Sequence, residues 1–214
     1  SKSEGLLTEK CGYAGLRIHT GRSSNDQVLV DLNVYSRSRR MGLLEDIGKL
    51  FDRLRDKAAQ YKDVWIPGYT HQQIAMPSSF VLWFSAYAES LADDLLPLRA
   101  AYELVNTNPL GSGAGYGSSV PLDRAETTKL LGFEDLAYNS VYAQMQRGKT
   151  EKAVLTAIAS VAATIGKLAS DVCTFSGGNF FLIKLPDAFT TGGRLYNYDA
   201  ADEADGVDHG GQKR

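Results

Sequence analysis

From Ser24 to about Tyr61 the chain runs without a proline, and Leu44, Ile47, Phe51, Leu54, Ala58 and Tyr61 recur in alternating steps of three and four. An α-helix turns once in about 3.6 residues, so this spacing lines those side chains along one narrow stripe. Ser24 and Gln27 stand in capping-box spacing at its start. A helix this long with one apolar seam has to be buried lengthwise against other helices, which predicts a bundle.

The rest of the chain agrees with that constraint. Pro77 suits a first helical turn, and Ser78 to about Asn106 reads as a second long helix with Phe80, Trp83, Phe84, Tyr87, Leu91, Leu95 and Leu98 on one face. Pro97 inside it predicts a kink and not an end. Asp123 and Glu126 have capping-box spacing for a short helix stopping at Gly132. A further helix is expected over about Thr150 to Ser176, where Val154, Ile158, Val161, Ile165, Leu168 and Val172 step by four and three. The first twenty residues, punctuated by glycines, read as loop-rich. No segment shows strand-like alternation, and the expected fold is all-α, a long-helix bundle.

Charge and cysteines narrow the function. A net charge of −2 leaves no surplus of cations for an extended phosphate contact, so nucleic acid is not the expected partner. Cys11 and Cys173 match no metal-ligand spacing and read as reduced, packed thiols of a cytoplasmic chain. No leader is visible, and no apolar run is expected to reach bilayer length, so no membrane partner is expected.

Three polar loops then attract attention. Gly21-Arg22-Ser23-Ser24-Asn25-Asp26-Gln27 lies where the first long helix begins. Unpaired N–H groups there, with serine and asparagine side chains, suit either an ordinary cap or a carboxylate site. Pro67-Gly68-Tyr69-Thr70-His71-Gln72-Gln73 holds a histidine on a loop pinned by prolines, either merely exposed or a general acid–base group. The run Asn108-Pro109-Leu110-Gly111-Ser112-Gly113-Ala114-Gly115-Tyr116-Gly117 lacks the lysine of a P-loop and follows a helix, so a nucleotide cradle is rejected. It is expected to be a flexible connection or a loop packed against a ligand or subunit.

In combination, GRSSNDQ, PGYTHQQIAMP, NPLGSGAGYGSSVPLDR and LGFEDLAYNSVYAQ resemble the argininosuccinate lyase family of the fumarase and aspartase superfamily, over about residues 1–192. The resemblance implies the central helical bundle of a homotetramer whose active sites draw loops from three subunits. It implies β-elimination of argininosuccinate to arginine and fumarate, in arginine biosynthesis, without metal or organic cofactor. In the family's roles Ser23 and Asn25 hold substrate carboxylates with Thr70 beside them, His71 is the acid–base histidine, and Gln73 is a nearby polar contact. On this basis residues 1–22 are the end of an N-terminal lyase domain, 23–192 the central bundle domain, and 193–214 a non-homologous, disordered tail.

Two departures stand out. The family carries arginine between the serine and asparagine of the first motif, where this chain has Ser24. Losing a bidentate cation should weaken carboxylate binding. After Gly192, the family continues into a Gly-Ser-Ser-x-Met-Pro-x-Lys-x-Asn loop that supplies the proposed serine base, whereas here Gly193-Arg194-Leu195-Tyr196 follows. Read one nucleotide forward, codons permitted for the following residues can spell part of that loop, so a frameshift is expected there. The expectation is a truncated central fragment, inactive alone, with a non-catalytic interaction remnant or a lyase for another fumaryl compound as alternatives.

Overall fold

The computed structural model describes residues 2–17 and 19–189. The chain divides into two compact units, Ser1–Ile165 and Gly166–Arg214. In the first, α1 (Lys2–Cys11) and α2 (Tyr13–Arg17) precede the long α3 (Ser24–Gln60). A hairpin of β1 (Trp65–Thr70) and β2 (Gln73–Ser79) leads to α4 (Phe80–Asp93) and α5 (Leu95–Val105). Then come β3 (Thr107–Asn108), α6 (Arg124–Leu130), β4 (Asp135–Leu136), α7 (Ser140–Met145) and α8 (Lys149–Ser176), within which the unit boundary falls. The second unit continues from α8 to a 3-10 turn at Asp187–Phe189, with the Phe175 and Phe180 rings edge to face.

The helical seams are partly where the spacing places them, although Tyr61, Leu95, Ile158 and Ile165 of the expected stripes are exposed. Ile47, Leu54 and Ala58 of α3, Ala88 and Leu91 of α4, Ala101 and Val105 of α5, and Ala157 and Val161 of α8 are buried. α3 packs along α4 and α5. Arg37 reaches from α3 to the end of α6, donating to the carbonyls of Leu131 and Gly132 over the Phe133 ring. Asn33 donates to the Thr107 carbonyl beside it. The α4–α5 boundary is a kink, as Pro97 predicts, because Asp94 between them keeps right-handed helical angles. Asp94 is buried and accepts from Ser160 and Thr164 of α8. The short helix caps on Asp123 and turns out through Gly132 at φ +66°.

Several expectations are corrected. Residues 2–17 are mainly helical, with Gly12 at φ +58° only joining α1 to α2. The α3 cap is Ser23, one residue earlier than expected, because Asp26 is its reciprocal partner and not Gln27. The segment around His71 is an antiparallel hairpin in which Pro67 faces Pro77. Prolines are tolerated there because each strand of a two-stranded ribbon has a free edge. Cys11 and Cys173 are free but exposed, not packed. α8 is long and apolar enough to cross a bilayer, with a mean hydropathy of 1.6 over an 18-residue stretch, contrary to the expectation from sequence. Its buried Ala157, Val161 and Thr164 nevertheless face the first unit's core. The expected tail, 193–214, lies outside the described residues.

Candidate functional site

The N-terminus of α3 is held by one carboxylate. Asp26 is 0% exposed. Its Oδ1 accepts from the Ser23 backbone N–H at 3.0 Å, and its Oδ2 accepts from the N–H groups of Gly111 and Gly113, each at 3.0 Å. The glycine-rich loop therefore wraps a built-in anion with amides of the kind that elsewhere cradle phosphate. Its conformation requires glycine. Gly111 and Gly113 sit at φ +85° and +62°, and a Cβ on Gly113 would stand 2.9 Å from the Gly117 carbonyl oxygen.

The loop is gripped from other sides as well. Gln144 of α7 donates to Ser112 Oγ at 2.9 Å and to the Gly113 carbonyl at 3.0 Å. Arg124 donates through Nε to the Leu110 carbonyl and through Nη2 to that of Ala137. Burial pulls the Arg124 guanidinium below its ordinary pKa, and the nearby negative Asp26 opposes that shift. Asn108, fully buried, ties the loop's root to Thr128. The run is thus a fixed, packed loop, and the flexible-connection reading is not what the structure shows.

On this support Ser23 is half-buried, while Ser24 and Asn25 are exposed. Ser23 Oγ accepts the Asn25 backbone N–H at 3.2 Å. The helix start consequently presents a serine hydroxyl and an asparagine amide beside a partial positive charge, a suitable seat for a carboxylate.

Thr70, His71 and Gln73 occupy the hairpin tip, all exposed. Thr70 pairs with Gln73, so His71 and Gln72 form a two-residue turn, with φ of +50° and +62°. Two successive left-handed residues make the primed turn that matches strand twist. Neither is glycine, so each carries about 1–2 kcal/mol of backbone strain. The pairing of Thr70 with Gln73 holds His71 at the tip of the ribbon in spite of this strain.

The two groups do not meet within one copy. Ser23 caps one end of α3 and the hairpin follows the other. A helix of 37 residues is about 55 Å long, whereas the stretch from Gln60 to His71 reaches at most about 40 Å. The Ser23 and His71 backbones of one copy therefore stay about 15 Å apart or more. Sequence reading names Ser23, Asn25, Thr70, His71 and Gln73 but misses Asp26 and Gln144. Ser23 and Asp26 stand three apart, which is a capping-box signal in itself.

Taken with the helical bundle and the loops at its ends, the comparisons define the class. A family profile described as Lyase matches residues 5–194, and the chain belongs to that lyase family. Among curated relatives it is 58% identical over 195 residues to argininosuccinate lyase of Parabacteroides distasonis, covering 91% of this chain and 44% of that protein. It is 39% identical to argininosuccinate lyase of Stenotrophomonas maltophilia, again over 91% of this chain and 45% of the relative. The chain spans less than half the length of these relatives. Among solved structures, EDDS lyase in complex with formate matches with a TM-score of 0.81 at 27% identity, over 87% of this chain and 37% of that one. A variant of the same lyase has been solved with bound fumarate.

Proposed function

We propose that this chain carries the carboxylate-holding and acid–base loops of an argininosuccinate lyase, whose reaction is β-elimination of argininosuccinate to arginine and fumarate. The observation that carries this is the pinned α3 start, with half-buried Ser23 and exposed Asn25 beside the glycine loop, in a chain 58% identical to a curated argininosuccinate lyase. Ser23 and Asn25 hold a carboxylate of the fumaryl part, where donors fixed before reaction stabilise charge that develops on it. Thr70 and Gln73 flank His71, which exchanges the proton as acid or base. No metal or organic cofactor is invoked in this scheme.

Because Ser23 and His71 stay apart within one copy, a working site draws them from different copies. The chain is accordingly proposed to act in a homo-oligomer, a tetramer as in the family, in the cytoplasm and in arginine biosynthesis. An apolar groove of about 480 Å³ between α3, α5 and α8, lined by Leu43, Leu98, Tyr102, Val154, Leu155 and Ile158, supports association. The residues after Gly192 carry no match to the family's serine loop, so the chain by itself is proposed to be catalytically silent. Fumarate release from argininosuccinate, measured with the chain alone and with a partner lyase that supplies the serine loop but is itself silent because its hairpin histidine is replaced, tests this. Release only in the mixture supports the proposal, and silence in both contradicts it.

A further inference from the structure

The glycine loop offers an amide nest of the sort that usually receives a ligand's phosphate or carboxylate. In this chain the nest is filled from inside, by a side chain of the motif that starts α3. One Asp26 oxygen takes the Gly111 and Gly113 amides, and the other takes the Ser23 amide. The carboxylate is wholly buried, so water does not compete for these bonds. Ser23 Oγ in turn accepts backbone N–H groups of its own helix start, and among the described residues none takes its hydroxyl hydrogen. That hydrogen can be donated to a ligand.

We propose that Asp26 is a positioning residue: by bridging the Ser23 amide to the glycine loop it fixes the rotation of the helix start, so that the Ser23 hydroxyl and the Asn25 amide face a bound dicarboxylate together. The inference rests on the dicarboxylate role proposed above for Ser23 and Asn25. Gln144 acts at one remove, since its two hydrogen bonds hold the loop from α7. The neutral substitution Asp26→Asn would retain the shape but turn an N–H₂ group toward backbone N–H donors, breaking at least one of the three bonds.

The test uses the whole ¹⁵N-labelled chain, with fumarate as the probe. In the unliganded chain, Asp26→Asn is expected to move the Gly111 and Gly113 amide protons upfield and to quicken hydrogen exchange at Ser23 and Asn25. In the titration it is expected to raise the fumarate dissociation constant about tenfold, read from the Ser23 and Asn25 resonances at unchanged helicity, as befits loss of charge-assisted bonds. A merely structural role would lower the unfolding midpoint but leave the folded population's affinity alone. A folded Asp26→Asn chain with affinity within about twofold and unchanged exchange overturns the proposal. If that variant does not fold, Gln144→Leu replaces it: faster exchange at Ser23 and Asn25 supports the proposal, and unchanged exchange overturns it. Absence of any fumarate response in the unsubstituted chain sinks the dicarboxylate reading, and the exchange arm then decides the positioning role separately.

Discussion

Asp26 and Gly113 lie 87 residues apart in sequence, yet the Asp26 Oδ2 atom accepts the Gly113 backbone N–H at 3.0 Å. That bond joins the start of the longest helix to the glycine-rich loop, and so ties two of the motifs that identify the family. It also explains why the loop needs glycines without being a nucleotide cradle: the amides they expose are already occupied.

Gly113→Ala is expected to destabilise the chain by about 2–3 kcal/mol, combining a left-handed backbone with a methyl group 2.9 Å from the Gly117 carbonyl oxygen. Denaturant unfolding measures this. A change below about 0.5 kcal/mol would show that the loop yields freely.

Asp94→Ala is expected to cost about 2–3 kcal/mol, because it removes the buried acceptor shared by Ser160 and Thr164 and leaves a cavity at the kink. The same unfolding experiment applies, and a neutral result would mean that α8 is not anchored at this point.

Much of this architecture is legible in the sequence, since residues such as Ile47, Leu54, Leu91 and Val161 follow helical spacing closely enough to mark the seams. The hairpin is not, because Pro67 and Pro77 argue against strands and the alternation between them is weak. Its turn is also disguised, with His71 and Gln72 at positions that usually hold asparagine and glycine. The candidate site is half legible. Ser23 and Asn25 are suggested by their place at a helix start, and His71 by its chemistry. The Ser23–Asp26 spacing shows a cap, but the bonds of Asp26 and Gln144 to the glycine loop join groups far apart in sequence, and no local pattern shows such partners.

Gln72→Gly is expected to stabilise the hairpin by about 1 kcal/mol, since glycine adopts the observed φ of +62° without a Cβ penalty. Hydrogen exchange across the Thr70 and Gln73 pair reports it. Slower exchange supports the strained turn, and faster exchange counts against it.

Ser24→Arg is expected to tighten fumarate binding about tenfold, because position 24 is exposed in the first turn of α3 and a guanidinium there can make a charge-assisted pair with a carboxylate. Calorimetric titration checks this, and unaltered affinity would show that the ligand lies elsewhere.

The most direct measurement is fumarate release from argininosuccinate after this chain is refolded together with a full-length argininosuccinate lyase whose own hairpin histidine has been replaced. Activity absent from each component, present in the mixture and abolished by His71→Asn in this chain is the predicted result. A mixture as silent as its parts would contradict a site whose His71 and Ser23 come from different copies, and turnover by the chain alone would contradict its proposed silence.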